Sequence, residues 1–313
     1  MSKTAFIFPG QGSQFVGMGT ELAEAYPEAR RVFDQLGAVL GDRVLNAIKD
    51  GPDETLRETH VAQPAILAVS VATYTCLLEQ GLQPDAVAGH SLGEYSALVA
   101  ADVFDFATAL RIVDKRAGLM SSAAELCDGS MMAVIGLSAE DVQGILRDAR
   151  SEGVVELANL NCPGQVVVSG ETQALEFVKR AAKEAGAKRV MPLSVSGPFH
   201  SSLMKPAADL FADYLRQFTP KEPRIPYVPN VTGSFLDDYE EIPTLLAMQI
   251  YRSVLWEDSV LQLIEFGCDR FVEVGPGKVL RGLVRRIDKS VDVISVADPE
   301  SVEQAVSWAE TGK

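Results

Sequence analysis

The stretch DAVAGHSLGEYSALVAADV, residues 85–103, decides the reading of this chain. DAVAG reads as a short strand and LGEYSALVAADV as a helix. Between them Gly89-His90-Ser91-Leu92-Gly93 fits the G-x-S-x-G pattern at the junction. A strand–turn–helix with a serine at the turn is the context of a nucleophile elbow, in which glycines let the backbone bend sharply and the helix N-terminus offers free N–H groups. The same pattern also arises by chance in loops, so the context carries the signal.

Working outward, TAFIF at 4–8 reads as a strand and residues 64–80 as a buried helix. Strands alternating with helices predict an α/β domain on a mostly parallel sheet. The rhythm changes near residue 128. MMAVIGL, SAEDVQGILRDAR, VVELANL, QVVVSG, TQALEFVKRAAKEAG and AKRVMPLSV follow as β-α-β-β-α-β, the ferredoxin-like order. The expected organisation is a large domain from 1–127 and 198–313, with a ferredoxin-like subdomain inserted at 128–197.

The chain has 313 residues, 47% of them hydrophobic, and a formal charge of −15 from 28 basic and 43 acidic side chains. A large core is affordable, and a nucleic-acid partner is excluded for want of a basic footprint. Cys76, Cys127, Cys162 and Cys268 form no CxxC pair, which suits reduced thiols better than disulfides or a metal site. The N-terminal strand breaks at Pro9-Gly10, too early for a signal peptide, and no apolar run approaches the ~20 residues of a membrane span. The expectation is a soluble, cytoplasmic protein without a membrane partner.

A serine needs a base, and there are three histidines. His90 adjoins Ser91 on the turn and should point away, into a supporting role. His60 sits in polar LRETH. His200, after the Gly197-Pro198 turn, is left as the base. Asp102, Asp105 and Asp114 lie between Ser91 and His200, but none has a telling context as a triad acid. A serine–histidine dyad oriented by a backbone or amide oxygen stays open. In the helix DFATALRIVDKRAGLM, Arg116 falls inside the apolar arc between Ala109 and Ile112. There it must snorkel out, pair with an internal carboxylate or meet an anion. The loop Phe8-Pro9-Gly10-Gln11-Gly12-Ser13-Gln14 is neither a P-loop nor a dinucleotide fingerprint; a backbone N–H at this turn can instead face an oxyanion.

FPGQGSQ (8–14), QPA (63–65), GHSLGEYSAL (89–98), KRAGLM (115–120), NCPGQVVVSG (161–170), GPFHSSLM (197–204) and EVGPGKVL (273–280) occur in the order found in malonyl-CoA:acyl-carrier-protein transacylases, which this chain resembles from about residue 4 to 290. The resemblance implies that the large domain is hydrolase-like. It further implies Ser91 as nucleophile, His200 as base, and an oxyanion hole from the N–H groups of Gln11 and Leu92. Arg116 would hold the malonyl carboxylate, and Gln249 would orient His200 through its main-chain carbonyl. Gln63 and Asn161 would line the site. Phe199-His200 agree with the His-Ala-Phe-His of malonyl-selective polyketide acyltransferases, but Gly197-Pro198 replace its first two residues, so that match favours malonyl over methylmalonyl only modestly. The implied partners are malonyl-CoA and acyl carrier protein, with no metal or redox cofactor. The chain shows no attached carrier domain, so the acceptor is expected from outside.

Two basic clusters stand out against the acidic whole. Beyond Gly277 a helix carries Val279, Leu280, Leu283, Val284 and Ile287 on one arc and Lys278, Arg281, Arg285, Arg286 and Lys289 on the other. The inserted unit carries Lys179, Arg180, Lys183, Lys188 and Arg189. Each is either an ordinary solvated face or a guide for an acidic carrier protein. The rival functions are a serine esterase or thioesterase, a non-catalytic carrier-binding scaffold, and a transacylase of polyketide synthesis.

Overall fold

A computed structural model describes residues 2–311. Its strands are β1 (Lys3–Phe8), β2 (Ala86–Gly89), β3 (Gly129–Ile135), β4 (Val155–Cys162), β5 (Gln165–Glu171), β6 (Arg189–Pro192), β7 (Tyr227–Val228), β8 (Val254–Leu255), β9 (Cys268–Val274) and β10 (Asp292–Val296). The first sheet runs β10-β9-β1-β2-β7, every pair parallel. β1 is buried on both faces, which is why TAFIF is continuously apolar instead of alternating. Phe6 and Phe8 enter one core, and Ala5 and Ile7 the other.

The helix Thr59–Glu79 fills the Phe6–Phe8 side. It starts five residues before the sequence-based boundary and carries Pro64 inside it. Contrary to the sequence reading, it is long and apolar enough to cross a membrane. Most of it is buried by protein on all sides, and that all-round burial explains its uniform apolarity.

The second sheet runs β6-β3-β5-β4, antiparallel throughout, in the ferredoxin-like order. Helices Ala139–Ala149 and Thr172–Glu184 cover one face through Val142, Leu146, Leu175 and Val178. The first of these helices starts at a Ser138–Asp141 capping box. An element invisible in the sequence completes this sheet: β8, about 100 residues downstream, pairs parallel with β4 at Asn159↔Val254 and Leu160↔Leu255. Two residues are too few to show a period.

Phe8 and Gly89 are register partners at the carboxyl ends of β1 and β2. The Pro9–Ser13 loop and the elbow therefore leave the sheet side by side, at the edge where open α/β sheets place ligands.

Candidate active site

The elbow is built by close packing. A Cβ on Gly93 would lie 2.0 Å from the Phe8 carbonyl oxygen, and one on Gly89 2.0 Å from the Gly93 carbonyl carbon. Only glycines let the helix Gly93–Ala100 press onto the sheet there. Ser91 itself sits at φ 49°, a left-handed conformation costing about 1–3 kcal/mol. Asn230 holds it: its Oδ1 accepts from the Ser91 N–H at 2.6 Å, and its Nδ2 donates to the Gly89 carbonyl at 2.6 Å.

Ser91 Oγ lies 2.8 Å from His200 Nε2. His200 also has a left-handed backbone, φ 58°, and its N–H donates to the Ile250 carbonyl at 3.0 Å. Its Nδ1 lies 2.7 Å from the Gln249 carbonyl oxygen. A carbonyl can only accept, so Nδ1 carries the proton and Nε2 presents its lone pair to the serine. Burial, and then the Arg116 charge, push the His200 pKa down to about 3, so the ring is neutral at physiological pH. Two of the three aspartates considered as triad acids are engaged elsewhere, and Asp114 makes no hydrogen bond to His200, whose Nδ1 faces the Gln249 carbonyl. Asp102 pairs with Lys221 and Arg224, and Asp105 caps the helix Phe106–Glu125. His60 pairs with Glu58.

Arg116 is completely buried in that helix, as its place on the apolar arc requires. It does not snorkel. Nη1 donates to Gln63 Oε1 at 2.7 Å, Nη2 to Gln249 Oε1 at 2.8 Å, and Nη2 comes within 3.4 Å of Ser91 Oγ. The guanidinium lies 5.4 Å from the Tyr95 ring centre. Its Nε has no partner, and no carboxylate lies within ion-pair distance among the described residues. A buried cation held by neutral amides beside a reactive oxygen has the charge and the free donor to take up an anion.

Above Ser91 a cavity of about 260 Å³ opens between the two sheets. Gln11, Leu92, Gln63, Asn161 and Phe199 all line it with Ser91 and His200. Neither the Gln11 nor the Leu92 backbone N–H meets an acceptor among the described residues. Asn161 Oδ1 lies 2.9 Å from His90 Nε2, so His90 turns from the serine toward the second sheet, as its place on the turn requires.

The helix Val279–Ile287 forms another wall through Val279, Leu280 and Leu283. Val279 is 54% exposed at the opening instead of joining the core with its apolar neighbours, and Arg281 is half-buried instead of free. The carboxylate of buried Glu273 accepts from the Leu280 and Arg281 N–H groups and anchors this helix start. Lys278, Arg285 and Arg286 are exposed, and Arg286 Nη1 donates to Gln165 Oε1 at 2.6 Å. Gln165 is opposite Ile135, which is opposite Arg189. Register partners share a face, so Arg189 lies on the cavity side of the sheet, two strands or roughly 10 Å from Gln165. Exposed Lys188 lies on the other face.

Sequence reasoning missed three polar residues. Glu94, Tyr227 and Asn230 are buried under the elbow, with the Tyr227 hydroxyl hydrogen-bonded to Glu94 Oε1. Glu94 lies within the motif, but an acid in the first turn of a helix is ordinary, and its partners lie more than 130 residues away.

An acyl transferase domain model matches residues 5–305. The chain is 45% identical to the malonyl CoA-acyl carrier protein transacylase of Bacillus subtilis, over 98% of this chain and 97% of that one. Among solved structures, an acyl carrier protein S-malonyltransferase from Vibrio cholerae superposes with a TM-score of 0.94 at 44% identity, covering 97% and 100% of the two chains. A malonyl-transacylase in complex with its type II PKS acyl-carrier protein gives 0.95 at 41% identity, covering 98% and 99%. The chain belongs to the acyl transferase family, among the malonyl CoA-acyl carrier protein transacylases.

Proposed function

We propose that this enzyme transfers the malonyl group of malonyl-CoA to the phosphopantetheine thiol of an acyl carrier protein, through a malonyl-Ser91 ester, in the service of fatty-acid synthesis. The observation that carries the reading is the convergence on one oxygen: His200 Nε2 at 2.8 Å and the buried Arg116 guanidinium at 3.4 Å from Ser91 Oγ.

His200 takes the Ser91 proton as the oxygen attacks the thioester carbonyl. The tetrahedral oxyanion is received by the N–H groups of Gln11 and Leu92 at the edge of the parallel sheet. The proton passes to the departing coenzyme A sulfur. In the second half-reaction His200 deprotonates the carrier thiol, which attacks the ester, and Ser91 recovers its proton. Arg116 receives the malonyl carboxylate. Part of what weakens His200 as a base is the Arg116 charge, so a carboxylate on Arg116 strengthens it. A malonyl donor thereby assists its own transfer.

Gln63, Asn161 and Phe199 shape the acyl cavity. Lys278, Arg281, Arg285 and Arg286, with Arg189, guide an acidic carrier protein toward the opening, whereas Lys188 faces away from it; the Arg286–Gln165 bond at the cavity wall supports this. The division into 1–127 with 198–313 and an inserted 128–197 is supported by the two separate sheets, with β8 tying the halves together. Four free cysteines support a cytoplasmic setting.

The test is to supply malonyl-CoA with and without phosphopantetheinylated carrier protein and follow the acyl group. Transfer to the carrier thiol should far outrun release of free malonate. Predominant hydrolysis would instead support an esterase.

A further inference from the structure

The polar network beneath Ser91 contains a carboxylate that the reaction described above does not use. Glu94 is fully buried, three residues after Ser91. Its Oε1 accepts from the Tyr227 hydroxyl; its Oε2 accepts from the Asn230 N–H at 3.3 Å and from Gln249 Nε2. It makes no direct contact with Arg116 or His200. It reaches the Arg116 and His200 groups by hydrogen bonds through Gln249, and the Ser91 backbone through Asn230.

Gln249 is the junction of the site. Its side-chain Nε2 donates to Glu94 and to the Ser91 carbonyl at 2.9 Å, its Oε1 accepts from Arg116, and its main-chain carbonyl accepts from His200 Nδ1. A side-chain amide has two orientations of nearly equal shape. In the one seen here, oxygen faces a guanidinium, which only donates, while nitrogen faces a carboxylate and a carbonyl, which only accept. Reversed, the amide would turn N–H toward the buried cation and oxygen toward two acceptors. The guanidinium and the two acceptors therefore choose the same orientation, and Glu94 is the acceptor contributed by a side chain.

We propose that Glu94 is a positioning residue for acyl selectivity: by accepting from Gln249 Nε2 it fixes the amide orientation that aims Arg116 at the carboxylate of the acyl group. The proposal rests on the malonyl-transfer reading and deepens it. Without Glu94 the amide keeps only the Ser91 carbonyl on its nitrogen side, and wherever it turns or shifts the guanidinium loses one of its two amide acceptors. An acyl group with no carboxylate makes no use of that geometry. Burial pushes the Glu94 pKa up to about 7, against the donors Tyr227, Gln249 and Asn230 and the Arg116 charge, which favour the ionised form. Positioning survives either protonation state, because a protonated carboxyl still offers one oxygen to Gln249 while it donates from the other to Tyr227.

Two substitutions separate reach from charge. Glu94→Gln keeps the length and an accepting oxygen but removes the charge; Glu94→Asp keeps the charge but withdraws the oxygen by about one bond length. The readout is the ratio of malonyl to acetyl labelling rates of Ser91, from malonyl-CoA and acetyl-CoA, by quenched-flow intact mass. Partial unfolding lowers both rates together and leaves the ratio unchanged. The ratio should stay within about threefold of wild type in Glu94→Gln and fall about tenfold or more in Glu94→Asp. An unchanged ratio in Glu94→Asp, or a collapsed ratio in Glu94→Gln, overturns the positioning role. Wild-type enzyme that takes no malonyl on Ser91 would instead overturn the underlying function, so the two failures are distinguishable.

Discussion

Two helices bring arginines to this cleft, and they do so in opposite ways. On Phe106–Glu125, Arg116 is wholly buried, gripped by Gln63 and Gln249, with one donor atom left over. On Val279–Ile287, Arg285 and Arg286 stand in solvent, and Arg286 holds Gln165 of the cavity wall at the rim. A charge without water is costly, so the buried one must be positioned, and it rewards an anion that arrives stripped of its own hydration. Exposed charges act over distance, are screened by salt, and steer more than they hold. The floor should therefore govern which acyl group reacts, and the rim how quickly a partner arrives.

The largest effect belongs to the floor's base. His200→Ala should slow acylation of Ser91 by about 10²–10⁴-fold, measured by pre-steady-state labelling. A loss below tenfold would remove His200 from the chemistry.

Arg116→Ala should weaken malonyl transfer by roughly 2–5 kcal/mol, about 30-fold or more, with acetyl transfer affected far less. Equal losses for the two donors would erase the distinction between floor and rim.

The environment of His200 sets the pH response. Its folded pKa of about 3 lies below the ordinary 6.5, so the neutral base persists as pH falls through the usual histidine range. The acylation kcat/KM, which reports the free enzyme, should show no histidine-type fall centred near 6.5 between pH 5 and 8. A clear fall there would show that His200 is solvated in the working enzyme.

The smallest effect is expected at the rim. Reversing Arg281 and Arg285 to Glu should raise the KM for carrier protein a few-fold and weaken its dependence on salt. Acylation by malonyl-CoA should change less. Unaltered carrier kinetics after reversal in both basic clusters would leave the rim without a docking role.

The floor and the rim also differ in how legible they were. The elbow and His200 could be found from residue types, and Arg116 from its wrong place on a helical wheel. The ferredoxin-like order of the second sheet followed from the alternation of periods. Gln249 could be reached only through resemblance, because nothing near Met248-Gln249-Ile250 marks a residue that meets four groups from distant parts of the chain. Glu94 and Asn230 escaped for the same reason: burial under a turn is a long-range fact, whereas periodicity reports neighbours. The rim helix was legible as a helix, but its edges were not. Val279 looks like core and faces the opening.

The most direct test of the whole account is the intact mass of the enzyme after incubation with malonyl-CoA, for wild type and Ser91→Ala. The expected result is one added malonyl group on wild type, lost on addition of phosphopantetheinylated carrier protein, and no addition to Ser91→Ala. An unshifted wild-type mass, or equal labelling of Ser91→Ala, would contradict it.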